Sequence, residues 1–88
     1  MTQAYFVECF WPGATESRLA HAAESVMGAP RSGDDARCID LILIPDDEIV
    51  LGLFSGPSAE SVRARAERAG IPAERIVRCV RLAQEPNH

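Results

Sequence analysis

The sequence predicts one α+β domain in which strands and helices follow one another in the order βαββαβ. Three observations lead to this prediction: four short stretches are rich in β-branched and aromatic residues, two stretches carry apolar residues at helical spacing, and turn-forming residues separate them. A chain of 88 residues has room for a single core. We therefore predict one domain over residues 1–82 and a flexible tail over residues 83–88, where no burial pattern is present.

The first three elements occupy the first half of the chain. Residues 4–10 (AYFVECF) have the composition of a strand and end at a Trp-Pro-Gly turn. Thr15 can accept a free backbone N–H at the start of a helix, and Gly28 followed by Pro30 ends that helix. Residues 37–44 (RCIDLILI) predict the second strand.

The last three elements follow a short turn. Residues 48–54 predict the third strand, which forms a hairpin with the second. Ser58 can cap a second helix, and Gly70 supplies the positive φ that favours a helix end. Ile71 can then fold back onto the last helical turn. Residues 75–82 (RIVRCVRL) predict the fourth strand.

The second helix is predicted to bury its apolar residues and to expose its basic ones. Val62, Ala66 and Ala69 recur at the spacing of one buried stripe. The arginines of this helix, Arg63, Arg65 and Arg68 among the nine of the chain, are predicted to point outward.

This order of elements predicts the ferredoxin-like fold. Right-handed crossovers place both helices on one face of a four-stranded antiparallel sheet. Strand two is predicted to direct Ile39, Leu41 and Leu43 to one face and Cys38, Ile42 and Ile44 to the other. Since helices cover one face only, the second apolar face predicts a homodimer that packs sheet face against sheet face.

Composition narrows the class of function. The net charge of −4 disfavours nucleic-acid binding, which needs a basic surface. No basic leader and no apolar run of about 18 residues is present, so we expect a cytoplasmic protein without a membrane partner. The three cysteines show neither a C-x-x-C pair nor zinc-type spacing, which favours reduced and mostly buried thiols.

Four segments resemble a group of small ferredoxin-like proteins of unknown function that includes a nickel-binding protein. The segments are YFVECFWPG over 5–13, PDDE over 45–48, LFSGPSAESVR over 53–63 and AGIPAERIVRCVRL over 69–82. The resemblance implies a dimer that binds a metal or a small ligand, and it does not imply an enzyme. In that group we expect an arginine where Cys9 stands and an acidic residue where Arg78 stands.

Glu8 is the first candidate site residue, because it places a carboxylate in an otherwise apolar strand. A buried charge must be paired or neutralised. In one interpretation Glu8 and Tyr5 line a ligand or catalytic cavity between the helices and the sheet. In the other, which we favour, Glu8 forms an ion pair with Arg78 or Arg81 of the neighbouring fourth strand. The ligand-binding candidates are therefore Tyr5, Glu8 and Arg78.

A metal site is the second candidate. Cys9 and Cys79 lie on strands predicted to be neighbours, and two thiolates with His21 and Glu8 would suit nickel or another divalent transition metal. Structural thiols are the favoured alternative, since the spacing gives no support for a site.

Three hypotheses on function follow. The first is a cytoplasmic homodimer that holds a transition metal or a small ligand. The second is an enzyme similar to the cofactor-free monooxygenases or isomerases that use dimeric ferredoxin-like barrels. The third is a structural or interaction module without a ligand. The sequence has no catalytic triad order, phosphate-binding loop or HExxH helix. Because sites in this fold are assembled from separated strands, the enzymatic hypothesis stays open, and the non-enzymatic hypotheses are favoured over it.

Overall fold

The computed structural model describes residues 3–13, 15–28 and 35–82, and these residues form six main elements. The elements are β1 (Gln3–Phe10), α1 (Glu16–Val26), β2 (Arg37–Ile44), β3 (Ile49–Gly56), α2 (Ala59–Arg68) and β4 (Arg75–Cys79). The predicted βαββαβ order is confirmed. Neither helix of the described residues is long and apolar enough to span a membrane.

The sheet has the strand order β2-β3-β1-β4, and each neighbouring pair is antiparallel. This is the ferredoxin-like arrangement, with both helices packed on one face. A single 3₁₀ turn over Pro45–Asp47 joins β2 to β3, and Glu48 follows it with a φ of 53°. The Glu48 carboxylate accepts the Gly13 N–H at 2.8 Å, which ties this hairpin to the loop after β1.

The predicted helix signals act as expected. Thr15 accepts the backbone N–H of Arg18 at the start of α1, and Ser58 accepts that of Ser61 at the start of α2. Gly70 has a φ of +79°, and the N–H of Ile71 donates to Ala66 O at 2.9 Å. These contacts are local, so the sequence can specify them without knowledge of the sheet.

The core lies between the helices and the sheet. Val7, Val50 and Phe54 are fully buried there, and the helices contribute Val26 and Val62. We call this side of the sheet the helix face. On the helix face of β3, glycines alternate with larger residues. Gly52 leaves room for the Phe54 ring, and Gly56 allows the close approach of Ala36.

β4 is shorter than predicted. The structure ends it at Cys79 rather than at residue 82, and the last register pair joins Cys79 to Ala4 near the start of β1. Beyond that point few residues of β1 remain to pair with, so Val80 and Leu82 are exposed, at 70% and 93%. The predicted tail over residues 83–88 lies outside the described residues.

A bulge in β2 corrects the predicted alternation of side chains. The register with β3 shifts between Cys38 and Asp40, so that Ile39 is the extra residue. Cys38 therefore shares the helix face with Leu41 instead of lying opposite to it. A period of two breaks at a bulge, and a single strand's sequence does not reveal where this happens.

Candidate functional site

The face of the sheet turned away from the helices, which we call the open face, is largely apolar. Phe6 lies between Leu53 and Val77 in the register, and residues paired in this way share a face. The apolar members of the open face are Phe6, Phe10, Ile42, Ile44, Ile49, Leu51, Leu53, Val77 and Cys79. Phe10, Ile42 and Val77 are 50%, 51% and 37% exposed, so within the described residues this face has no cover.

Charged groups interrupt the open face at few positions. Glu8 stands at its centre, between Leu51 on β3 and Arg75 on β4. Asp40 lies on the edge strand β2, where it is exposed. Within this apolar surface, one carboxylate on an inner strand and one guanidinium on the edge strand β4 therefore stand on directly opposed residues.

The structure corrects the predicted ion pair between Glu8 and Arg78. Arg78 is the register partner of Tyr5 and is directed to the helix face, whereas Glu8 is directed to the open face. Arg81 lies beyond the end of β4. The candidate ligand set is thus divided, since Tyr5 and Arg78 are neighbours and Glu8 lies on the other side of the sheet. The expected cavity between helices and sheet does not contain Glu8.

The predicted metal ligands are also separated. Cys9 is buried on the helix face, while Cys79 pairs with Ala4 on the open face. His21 is exposed on α1, in the helical layer. Among the described residues no three of His, Cys, Asp and Glu come together as a metal site. The sequence placed the two cysteines on neighbouring strands correctly, but the face of each depends on the register, which is a long-range property.

The two fully buried thiols are poorly suited to chemistry. Loss of hydration raises the pKa of Cys9 to about 11, and the same cause raises the pKa of Cys38 to about 11. A thiol with such a pKa is almost entirely protonated at neutral pH and is therefore a weak nucleophile and metal ligand. This agrees with the structural interpretation of these thiols.

A buried arginine joins the two helices, contrary to the prediction that the arginines of α2 point outward. The guanidinium of Arg65 donates to Val26 O at 3.2 Å and to Gly28 O at 2.6 Å, and it pairs with Asp35 at 2.9 Å. Arg65 is 6% exposed. It lies three residues after Val62, at the edge of the buried stripe, and this spacing was the available signal in the sequence.

The described residues of the helical layer line two grooves. One has a volume of about 370 Å³ and is lined by Trp11, Ser17, Arg18, His21, Ala22, Ala69 and Gly70. The other has a volume of about 300 Å³ and is lined by Glu16, Leu19, Ala20, Ala23, Leu41, Leu43 and Pro45. The first groove, which we call the Trp11 groove, combines an aromatic ring with basic side chains. From the sequence, Trp11 was predicted only as part of a turn, and its position beside Arg18 was not predicted.

The fold and the open face define a small ferredoxin-like α+β domain. Among solved structures, the chain is similar to SCO4226 from Streptomyces coelicolor A3(2), known from a crystal structure. The two sequences are 23% identical, the TM-score is 0.76, and the match covers 91% of this chain and 99% of that chain. At this identity the likeness establishes the fold. No family model and no curated protein matches the chain.

Proposed function

We propose that this protein is a homodimeric ligand-binding module in which two copies pack open face against open face. The observation that carries the proposal is the apolar character of the open face in a chain that has no further element, among its described residues, to cover it. Antiparallel sheets that face water usually present polar residues on that side. A second copy offers the same apolar surface and is the simplest cover.

The charged residues of the open face fit this assembly. Glu8 would lose water when a second copy covers it, and a buried carboxylate needs a cation. Arg75 stands directly opposite in the register and can supply that cation. Asp40 lies on an edge strand, so it remains at the rim of the interface in contact with water.

The ligand is proposed to be a small organic molecule. The grooves of the helical layer have volumes of about 370 and 300 Å³, within the range of small-molecule sites. The candidate metal ligands lie apart from one another within a copy, and Glu8 lies outside the cavity that the enzymatic hypothesis requires, so neither alternative gains support. Three free cysteines favour a reducing compartment, and we infer the cytoplasm.

Light scattering after gel filtration, at protein concentrations of about 10 to 100 μM, tests the assembly in the range where standard interfaces associate. We expect a mass twice that of the 9.6 kDa chain. Leu51→Arg places a charge at the centre of the open face and should give a monomer. The matched control is Met27→Arg, because Met27 is also exposed, at 49%, but lies at the end of α1.

The control variant should remain dimeric. A wild-type monomer throughout the concentration range would contradict the proposed dimer. Dissociation by Met27→Arg together with an intact Leu51→Arg dimer would show that the helical layer, and not the open face, forms the interface.

A further inference from the structure

We propose that the Trp11 groove binds a small aromatic carboxylate, with Arg18 holding the carboxylate and Trp11 and His21 contacting the ring. The inference gives a site and a ligand class to the ligand-binding part of the proposed function, on which it rests. It does not depend on the dimer, because every lining residue belongs to one copy and lies in or beside the helical layer.

The Arg18 guanidinium makes two contacts within the protein and keeps further N–H groups that can donate to a ligand. Its guanidinium carbon lies 5.9 Å from the centre of the Trp11 ring, and one terminal nitrogen donates to Gly13 O at 3.3 Å. These contacts hold the guanidinium beside the Trp11 ring at the edge of the groove. No carboxylate of the described residues forms an ion pair with it. A planar guanidinium with free N–H groups is the preferred partner of a carboxylate, which it can bind through two parallel hydrogen bonds.

His21 adds a second donor on the same side of the groove. It lies three residues after Arg18 on α1, so both side chains project from neighbouring turns of one helix face. Both line the groove together with the Trp11 ring. An imidazole and an indole offer flat surfaces to a ligand ring, and the imidazole also offers an N–H.

The opposite wall of the groove is small and apolar. It is formed at the end of α2, where Gly70 has no side chain and an added Cβ would meet nothing within 4 Å. Two carbonyl oxygens at this helix end already accept hydrogen bonds, because the Gly70 N–H donates to Glu67 O at 3.0 Å and the Ile71 N–H donates to Ala66 O at 2.9 Å. The wall therefore leaves room for an aromatic ring, while the charge that attracts the carboxylate comes from Arg18 on the other wall.

The experiment uses the fluorescence of Trp11, which is the one tryptophan in the chain. Benzoate is titrated into the full-length protein, with benzamide as the neutral probe of the same shape. We expect a saturable change in fluorescence with benzoate. The dissociation constant for benzamide should be about tenfold higher, because a charge-assisted hydrogen bond is lost. Arg18→Met should weaken benzoate binding by a similar factor, and Arg18→Lys should weaken it less.

Arg37→Met is the matched control, because Arg37 is an exposed arginine on β2 and does not line the groove. It should bind benzoate as the wild type does, and circular dichroism should show that all variants fold. Amide shifts in NMR spectra give a second readout, and we expect them at Ser17 and Gly70. Absence of both saturable fluorescence and these shifts would overturn the proposal, as would equal binding of benzamide or undiminished binding by Arg18→Met.

The same titration on Leu51→Arg separates this inference from the proposed dimer. Benzoate binding by a monomeric Leu51→Arg variant is the expected result. A wild-type monomer that binds benzoate would contradict the dimer alone, whereas a wild-type dimer that fails to bind benzoate would contradict the Trp11 groove alone.

Discussion

The two faces of the sheet have similar apolar composition and very different surroundings. On the helix face, Val50 and Phe54 are completely buried, whereas Phe10 and Ile42 on the open face keep about half of their surface, 50% and 51%, in contact with water. Alternation of apolar residues along the strands therefore creates two apolar surfaces, but it does not decide which of them the helices cover. On the helix face the glycines of β3 leave room for other groups, at Gly52 for the Phe54 ring and at Gly56 for Ala36 and Val62.

The faces also differ in how they treat charge. Beside the helix face, Arg65 and Asp35 are buried together, and the arginine also binds the carbonyl oxygens at the end of α1. On the open face, Glu8 and Arg75 are opposed in register but form no ion pair among the described contacts. The buried charges beside the core are therefore paired, whereas Glu8 and Arg75 lie on a face that no described element covers.

The largest expected difference between the faces concerns Phe54 and its neighbour Leu53. Phe54→Ala should lower the free energy of unfolding by about 3–5 kcal/mol, since it leaves a cavity in a packed core. Leu53→Ala should cost only about 1 kcal/mol in dilute protein, because the leucine is partly exposed already. Urea denaturation measures both values, and equal losses would contradict the assignment of the two faces.

The buried ion pair gives the next largest effect. Arg65→Met should cost about 3 kcal/mol, because it removes the more buried of two arginines that pair with the buried Asp35 carboxylate. Arg68 contacts the same carboxylate at 2.7 Å, but its side chain is 35% exposed, so Arg68→Met should cost about 1 kcal/mol or less. Unfolding in denaturant measures the free energy of unfolding of both variants. If Arg68→Met is the more harmful change, the role given to Arg65 is wrong.

Crowding on the helix face can be tested with a smaller change. A Cβ added at Gly52 would lie 2.8 Å from a ring carbon of Phe54 and 3.3 Å from a methyl carbon of Leu41. Gly52→Ala should therefore lower the stability by about 1–3 kcal/mol through overpacking. Ser55→Ala on the open face of the same strand should change it by less than about 0.5 kcal/mol. If Gly52→Ala leaves the stability in thermal or urea unfolding unchanged, the helix face is loosely packed.

The last prediction concerns how the stability changes with pH rather than a fixed loss at one pH. Burial raises the pKa of Cys9 and of Cys38 from 9.0 to about 11, so the folded protein disfavours both thiolates. The stability contributed by the neutral thiols is complete below pH 9 and is lost as the pH rises towards 11. Urea denaturation from pH 8 to 11 should show this decline. The double variant Cys9→Ala and Cys38→Ala should flatten the curve, and Cys79→Ala is the control. If the stability of the double variant falls with pH as steeply as that of the wild type, the two buried thiols do not cause the decline.

Local signals in the sequence predicted much of the fold. The caps at Thr15 and Ser58, and the helix end at Gly70, depend on contacts within a few residues, so they are visible in the chain itself. The bounds of β2 were predicted for the same reason, whereas β4 was overextended because its length depends on how many residues of β1 are available for pairing.

The candidate site was harder to predict, because its residues come together over long distances along the chain. The two faces of Cys9 and Cys79 depend on register, and the Ile39 bulge changes the parity of β2. One overlooked signal was the pattern of every second residue in β3, where Gly52 and Gly56 alternate with Val50 and Phe54. Glycines at alternate strand positions indicate close approach of other groups, and so they mark the helix face.

The sequence by itself determined the order of strands and helices, their caps and the apolar character of both sheet faces, since each depends on neighbouring residues and on a fixed spacing. Only the tertiary structure decided which face the helices cover, that Arg65 is buried against α1, and that Trp11 lies beside Arg18. The physical reason is that strand register and helix packing are set by contacts between residues distant in the chain. A shift of one residue in such contacts moves a side chain to the opposite face.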